Sequence, residues 1–278
     1  MISVNSCNTQ LSYKGISYPK DINYKKALQQ GLKNSFNIDC PLKNLNSIAG
    51  PEEIQTIINN LKPYQYEVGE NFRANFHIHT KTSDGKLTTI EFLEQCKDWA
   101  NHIFKSKKNS DNLPPFSAAI TDHDRIAGVK EAIALISEEP DKFKNFKFIS
   151  GCEFLFNGYK EPYNAFEAIG LGFNPFAENI QHMMKGFASN NHISEAKNIL
   201  KSGGILSWAH PIISPEKINK DFFMFLKKNG INGVEGNYQY NYLDQEYVNS
   251  LKPILEKLIK QFKMFITGGT DSHQKTIF

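Results

Sequence analysis

From about residue 72 onward the sequence alternates between short apolar runs that end in polar residues and longer stretches of helical periodicity. The runs are RANFHIH, FSAAITDH, FKFISGCE, NAFEAIGLG, GGILSWAH, INGVEGNY and KMFITGGTDSH, and the helical patterns lie near 88–104, 127–138, 177–202, 215–229 and 242–261. A chain of strands spaced by helices has few ways to bury its apolar faces. It makes an α/β fold, either a (β/α) barrel or a doubly wound sheet. With 278 residues, 40% of them hydrophobic, the chain can bury one substantial core. It contains no internal repeat and no low-complexity segment.

Residues 1–70 read differently, being polar and rich in Asn and Lys. In DINYKKALQQGLKN, Ile22, Ala27, Leu28 and Leu32 form a weak helical stripe that Asp21 is placed to cap. In GPEEIQTIINNLKP, Pro51 suits a first helical turn, and Ile54, Ile57, Ile58 and Leu61 recur at helical spacing. The expectation is a mainly helical N-terminal extension over 1–70, with no chemistry of its own, packed on a main domain spanning 71–278.

Histidines and carboxylates fall at the ends of the apolar runs: His77 and His79, His123, Glu153, His210, then Asp271 and His273. In a β/α barrel those ends converge on one face, so residues distant in sequence become neighbours. Five of the eight histidines stand at the ends of four proposed strands. Residues two apart on a strand point the same way, so His77 with His79, and Asp271 with His273, can each aim two ligands into one pocket. Asp84 follows the first run, and Gly85 beside it permits a sharp turn over the strand ends. Imidazoles and carboxylates without thiolates favour Zn, Mn or Fe, and a carboxylate such as Glu153 can bridge two ions. A multinuclear metal site is therefore expected. Glu235 also ends a run and is either a site residue or an acceptor for a loop. His102, His182 and His192 lie inside helical patterns and read as ordinary packing or surface residues.

Composition narrows the function classes. The net charge of +3 favours anionic substrates without demanding a nucleic-acid partner. The basic runs KSKK (105–108) and DKFKNFK (141–147) read as solvated loops, with Phe143 and Phe146 suited to the entry of a buried strand. Cys7, Cys40, Cys96 and Cys152 form no C-x-x-C pair, so neither a disulfide framework nor a thiolate zinc site is suggested. No stretch is apolar for long enough to cross a membrane, and the first twenty residues lack the apolar core of a secretory signal. A cytoplasmic protein without a membrane partner is expected.

Taken in order, FHIHTKTSDG, AITDHD, GCE, WAHP and TGGTDSH resemble the motifs of the PHP (polymerase and histidinol phosphatase) family, relatives of the amidohydrolases, over about residues 72–278. The resemblance implies a distorted, TIM-like (β/α)7 barrel of seven strands. It further implies two or three divalent ions (Mn, Zn or Fe) at the C-terminal strand ends and hydrolysis of phosphate esters. By the same resemblance, His77 and His79 bind one ion with Asp271, Glu153 bridges it to a second held by His210, and Asp84, His123 and His273 hold a third. One position departs from the pattern. Many members carry a histidine on the fourth strand, three residues before a Gly, where EAIG here has Glu167. A carboxylate then replaces an imidazole or that ion is weakened, and the count stays open between two and three. Asp122 and Asp124 flank a ligand, so a role in orienting imidazoles is expected for at least one of them.

The chemistry expected is metal-assisted hydrolysis, the ions lowering the pKa of a bound water and neutralising phosphoryl oxygens. Phosphate recognition favours the bidentate geometry of Arg. The chain has two arginines, Arg73 and Arg125, and Arg125 directly follows TDHD, which makes it the first candidate for binding phosphate. Lys81 and Lys275, beside the first and last motifs, are further candidates, and His210 or Asp271 could act as the acid for the leaving group. The expected substrate is a small phosphorylated metabolite or nucleotide. The alternatives are an exonuclease-like phosphodiesterase on short oligonucleotides, a C–N bond hydrolase, and a non-catalytic metal-binding regulatory module that uses the N-terminal extension as its contact surface. Nucleic acid enters only as a substrate, and oligomeric state is left open.

Overall fold

All seven apolar runs contribute a strand to one sheet. The computed structural model describes residues 20–106, 114–156, 165–185 and 192–278. In chain order the strands are β1 (Ala74–Asn75), β2 (Phe116–Ile120), β3 (Phe146–Phe156), β4 (Phe166–Leu171), β5 (Ile205–Trp208), β6 (Gly233–Val234) and β7 (Phe265–Ile266), and they lie side by side in that same order. The sheet is curled. Backbone just beyond β1 meets backbone just beyond β7: Phe76 N–H donates to the Gly268 carbonyl at 3.1 Å, His79 N–H donates to the Ser272 carbonyl at 3.0 Å, and Ile78 bridges Ser272.

The fourth strand departs from a parallel α/β pattern. β1–β2–β3 and β5–β6–β7 pair in parallel, whereas β4 runs antiparallel to both β3 and β5. The cause is legible in chain length. A parallel neighbour needs a crossover of about a dozen residues or more, and only residues 157–165 separate β3 from β4. Reversal puts the beginning of β4, not its end, at the face where the other strands finish.

Helices cover the outside of the sheet: α3 (Thr89–Ser106), α4 (Ala127–Glu138), α5 (His192–Lys201), α6 (Lys220–Lys228) and α7 (Gln245–Gln261). Each start has a local reason where the capping side chain is seen. Thr88 and Glu91 exchange hydrogen bonds in a capping box before α3, Asn219 accepts from Phe222 N–H at α6, and Asp244 accepts from Tyr247 N–H at α7. The helix expected over 177–202 is two pieces, a 3-10 stretch at Glu178–Lys185 and then α5, with 186–191 outside the described residues. The one expected over 215–229 is a 3-10 turn at Pro215–Lys217 followed by α6, because Asn219 begins a new helix.

The N-terminal region contributes α1 (Asp21–Phe36) and α2 (Pro51–Asn60). Tyr24, Leu28 and Leu32 share a core cluster with Phe72, Phe116 and Phe148, while Ile54, Ile57 and Ile58 share another with Phe76, Ile149 and Leu171. Burying one such side chain contributes about 1.5–3 kcal/mol, so the two helices are held by the same apolar forces as the sheet. Asp21 does not cap its own helix, as the sequence suggested. Its carboxylate accepts from Glu52 N–H at 3.1 Å and so caps α2. Phe143 and Phe146 are buried where β3 begins, and Cys40, Cys96 and Cys152 are free and buried. Cys7 and half of KSKK lie outside the described residues. No described helix is long and apolar enough to cross a membrane.

Candidate metal centre

β1 carries the chain into the site. Beyond it His77 and His79 are wholly buried on one side, while Ile78 between them turns into an apolar cluster, as strand alternation requires. Asn75 ties this segment to the one following β7, donating to Thr270 Oγ1 at 2.9 Å and to the Ile277 carbonyl at 2.6 Å and accepting from Thr270 N–H at 3.1 Å. Two glycines permit close approaches that a side chain would block. A Cβ at Gly269 would fall 2.5 Å from His77 Cβ, and one at Gly85 only 2.2 Å from the His79 carbonyl oxygen. Gly85 therefore serves the Asp84 turn by its lack of a side chain.

These segments assemble three groups of ligand atoms, each within 4.8 Å of one another: His77, His79, Glu153 and Asp271; His79, Asp84, His123 and His273; and Glu153, Glu167 and His210. His79 belongs to two groups and Glu153 to two. In the first, Glu153 Oε2 lies 3.0 Å from His77 Nε2 and 3.2 Å from His79 Nε2, and Asp271 Oδ1 lies 3.2 and 3.1 Å from the same two atoms. In the second, Asp84 Oδ2 is 3.2 Å from His273 Nε2 and 3.8 Å from His123 Nε2, and the rings of His123 and His273 flank His79 at 4.4 and 4.1 Å. In the third, His210 Nε2 is 3.1 Å from Glu153 Oε1 and 3.2 Å from Glu167 Oε2.

The donor atoms fit divalent cations. Buried polar atoms are almost always hydrogen-bonded, yet His77 Nε2, both ring nitrogens of His79 and Asp271 Oδ1 are buried without a hydrogen-bond partner. All four point into the first group, or the second through His79. An ion would satisfy them at once. Burial alone would lower the pKa of His77, but Asp271, Glu153 and Glu235 outweigh it and hold the ring well above the ordinary histidine range. The same contest pushes His79 up to about 9, through Asp271 and Glu153, and His210 up to about 10, through Glu153 and Glu167. Burial would raise Glu153 and Asp271, but His77 and the neighbouring imidazoles hold both carboxyls below their usual range. The cluster concentrates alternating charges that a cation can replace.

Orienting contacts reach the first group from β6 and its loop. Glu235, fully buried, takes His77 Nδ1 at 3.2 Å with each oxygen and accepts from His210 N–H at 2.9 Å. Of the two readings open for Glu235, it is thus a site residue that holds two candidate ligands, His77 and His210. Tyr238 donates its hydroxyl to Asp271 Oδ2 at 2.9 Å, leaving Oδ1 for the pocket. Sequence reasoning missed Tyr238, although it is the polar tip of the run INGVEGNY. His210 and Asp271 have φ of +28° and +50°, and Asp124 +52°. Such backbone costs about 1–3 kcal/mol per residue and clusters where surrounding structure enforces it.

The remaining expected residues divide. Glu167 joins the third group. Asp122 does not orient an imidazole; it accepts from Thr80 N–H at 2.6 Å, Thr80 Oγ1 at 2.7 Å and Ser83 Oγ at 2.8 Å, and so fixes the turn that leads to Asp84. Asp124 follows His123, and its N–H donates to the Glu153 carbonyl at 2.8 Å. Arg125 is exposed and donates to the Thr82 carbonyl at 2.9 Å, which places it over that turn. Lys81 and Lys275 are exposed and both lie near Glu91 at the start of α3. Arg73 is buried and binds the carbonyls of Glu70 and Phe72. His102 stacks on Trp99 and His182 pairs with Glu195 at 2.7 Å, and neither belongs to the three groups; His192 opens α5.

No family model matches the chain, and no curated protein matches it in sequence. Among solved structures it is similar to a protein of Bifidobacterium adolescentis provisionally named a metal-dependent phosphoesterase, at 16% identity and a TM-score of 0.53. The likeness covers 73% of this chain and 89% of that one, and it is a likeness of fold.

Proposed function

We propose that this chain is a metal-dependent phosphoesterase of the PHP type, built on a distorted (β/α)7 barrel and acting on a small phosphorylated metabolite or nucleotide. One observation carries the reading: three ligand groups, linked through His79 and Glu153, include four buried donor atoms without hydrogen-bond partners. The name given to the fold neighbour points the same way.

His77, His79, Glu153 and Asp271 would hold one ion, His79, Asp84, His123 and His273 a second, and Glu153, Glu167 and His210 a third. Bound there, the ions (Mn, Zn or Fe) would supply a water of lowered pKa and neutralise charge on phosphoryl oxygens. The protein positions the ligands: Glu235 fixes His77 and His210, Tyr238 fixes Asp271, and Asp122 fixes the turn before Asp84. Arg125, on the rim above that turn, is suited to clamp phosphate, with Lys81 and Lys275 as weaker aids. His210 or Asp271 is proposed as the acid for the leaving group, and Asp271, whose carboxyl is held below its usual range, is the weaker candidate.

The test is phosphate release from sugar phosphates, mononucleotides, nucleoside bisphosphates and histidinol phosphate, with a diester substrate alongside, in Mn²⁺ or Zn²⁺ against a chelated control. Metal-dependent release of phosphate from a monoester is the expected result. Cleavage of the diester alone would move the reading to a phosphodiesterase. Absence of both activities in a protein that holds metal would overturn it.

A further inference from the structure

The three ligand groups are chemically unlike. The one at the Asp84 turn offers three imidazoles and one carboxylate, the buried one two of each, and the third one imidazole and two carboxylates. Imidazole donors suit Zn²⁺, whereas carboxylate and water oxygens suit harder ions such as Mn²⁺ and Mg²⁺. Building on the metal-centre reading above, we propose that Glu167 makes the Glu153–Glu167–His210 pocket a Mn²⁺-selective position in a centre whose other two pockets prefer Zn²⁺.

Glu167 is held in place by the sheet. Its carbonyl accepts from Ala209 N–H at 2.9 Å, so the antiparallel β4–β5 pairing sets its side chain beside His210. Glu153 divides between pockets, with Oε1 facing His210 and Oε2 facing His77 and His79. One carboxylate is therefore common to both pockets; His210 and Glu167 belong to the third alone, and Glu167 is its second carboxylate. At 29% exposure Glu167 also leaves the pocket open to solvent on one side, whereas Glu153 is 1% exposed. A hard cation retains waters in its coordination shell and is suited by such an opening.

Metal-free protein is equilibrated with Zn²⁺ sufficient for two ions per chain and an excess of Mn²⁺. Bound metals are then counted by elemental analysis, and free Mn²⁺ by its electron paramagnetic resonance signal. The wild type is expected to hold about one Mn²⁺ beside its zinc. Glu167→Gln is expected to keep the zinc and weaken Mn²⁺ binding by at least the roughly 10–100-fold that loss of an orienting partner costs. Glu167→His, given more Zn²⁺, should exchange Mn²⁺ for zinc, and circular dichroism of all three proteins checks folding. Mn²⁺ uptake by Glu167→Gln equal to wild type, or unaltered metal preference in Glu167→His, overturns the proposal alone. A wild type that retains neither metal overturns the phosphoesterase reading with it.

Discussion

The buried pocket of His77, His79, Glu153 and Asp271 and the neighbouring pocket of His79, Asp84, His123 and His273 share one imidazole but differ in setting, and the second has an imidazole where the first has a carboxylate. In the first, the exposures are 0, 0, 1 and 17%, and Glu235 and Tyr238 lock the ligands from behind. In the second, Asp84 is 57% exposed, His123 36% and His273 32%, and Asp84 rides on a turn. Charge in a water-excluded, preorganised site acts more strongly than the same charge in solvent. The comparison teaches that two pockets sharing His79 differ in how firmly their surroundings hold the donor atoms, so an ion in the first is expected to be held tightly and one in the second to exchange.

The sharpest way to break this contrast is at the residue common to both pockets. His79→Ala is expected to remove ions from both and to lower phosphate release by at least the roughly 100- to 1,000-fold that a single charge-stabilising group supplies. Elemental analysis and turnover on the best substrate check it, with His182→Ala as a control that stays near wild type. His273→Ala should empty the exposed pocket and leave the buried ion in place. Equal metal loss in His273→Ala and Asp271→Ala would erase the distinction drawn here.

A smaller effect is expected from the residues behind the ligands. Glu235→Gln and Tyr238→Phe should each weaken the buried ion by about 10–100-fold, seen as a lower chelator concentration for half-removal. The smallest effect lies in pH. The folded values of about 9 for His79 and 10 for His210 stand above the ordinary 6.5. Raised histidines contribute stability fully below about pH 6.5, and that stability is lost as pH rises through the folded values. The Tm of metal-free protein should fall between about pH 6.5 and 10, while the Tm gain on adding metal grows over the same interval, because binding displaces those protons. A metal-induced gain that does not change with pH would show that the imidazoles are not ligands.

Much of this arrangement is written in local pattern. The seven runs are strands because each alternates or concentrates apolar residues between turn signals, and the convergence of His77, His79, His123, Glu153 and Asp271 into groups able to hold a metal follows from their position at run ends. What stays hidden depends on direction and distance. Glu167 looks misplaced near the start of its run until the short 157–165 connection is recognised as too brief for a parallel crossover. The roles of Glu235 and Tyr238 depend on partners 158 and 33 residues away, and no periodicity reports such pairings. Asp21 reads as a cap for the helix it begins, but the donor it serves is Glu52, brought near only by packing. Asp122 reads as a partner for the adjacent histidine, whereas both its oxygens serve a turn 40 or so residues earlier.

The meeting of the segments that follow β1 and β7 also bears on how the molecule reaches its native state. Asn75 finds Thr270 across 195 residues, and the buried pocket has its full ligand set only after that contact forms. Long-range pairings of this kind slow folding. Partly folded chains are therefore expected to hold an incomplete pocket, and a cation would bind tightly only to the finished molecule. At about 100 times its dissociation constant, a ligand specific for the native state adds about 2.7 kcal/mol of stability. Metal uptake during refolding should thus follow the slow meeting of these two segments and serve as a clock for it.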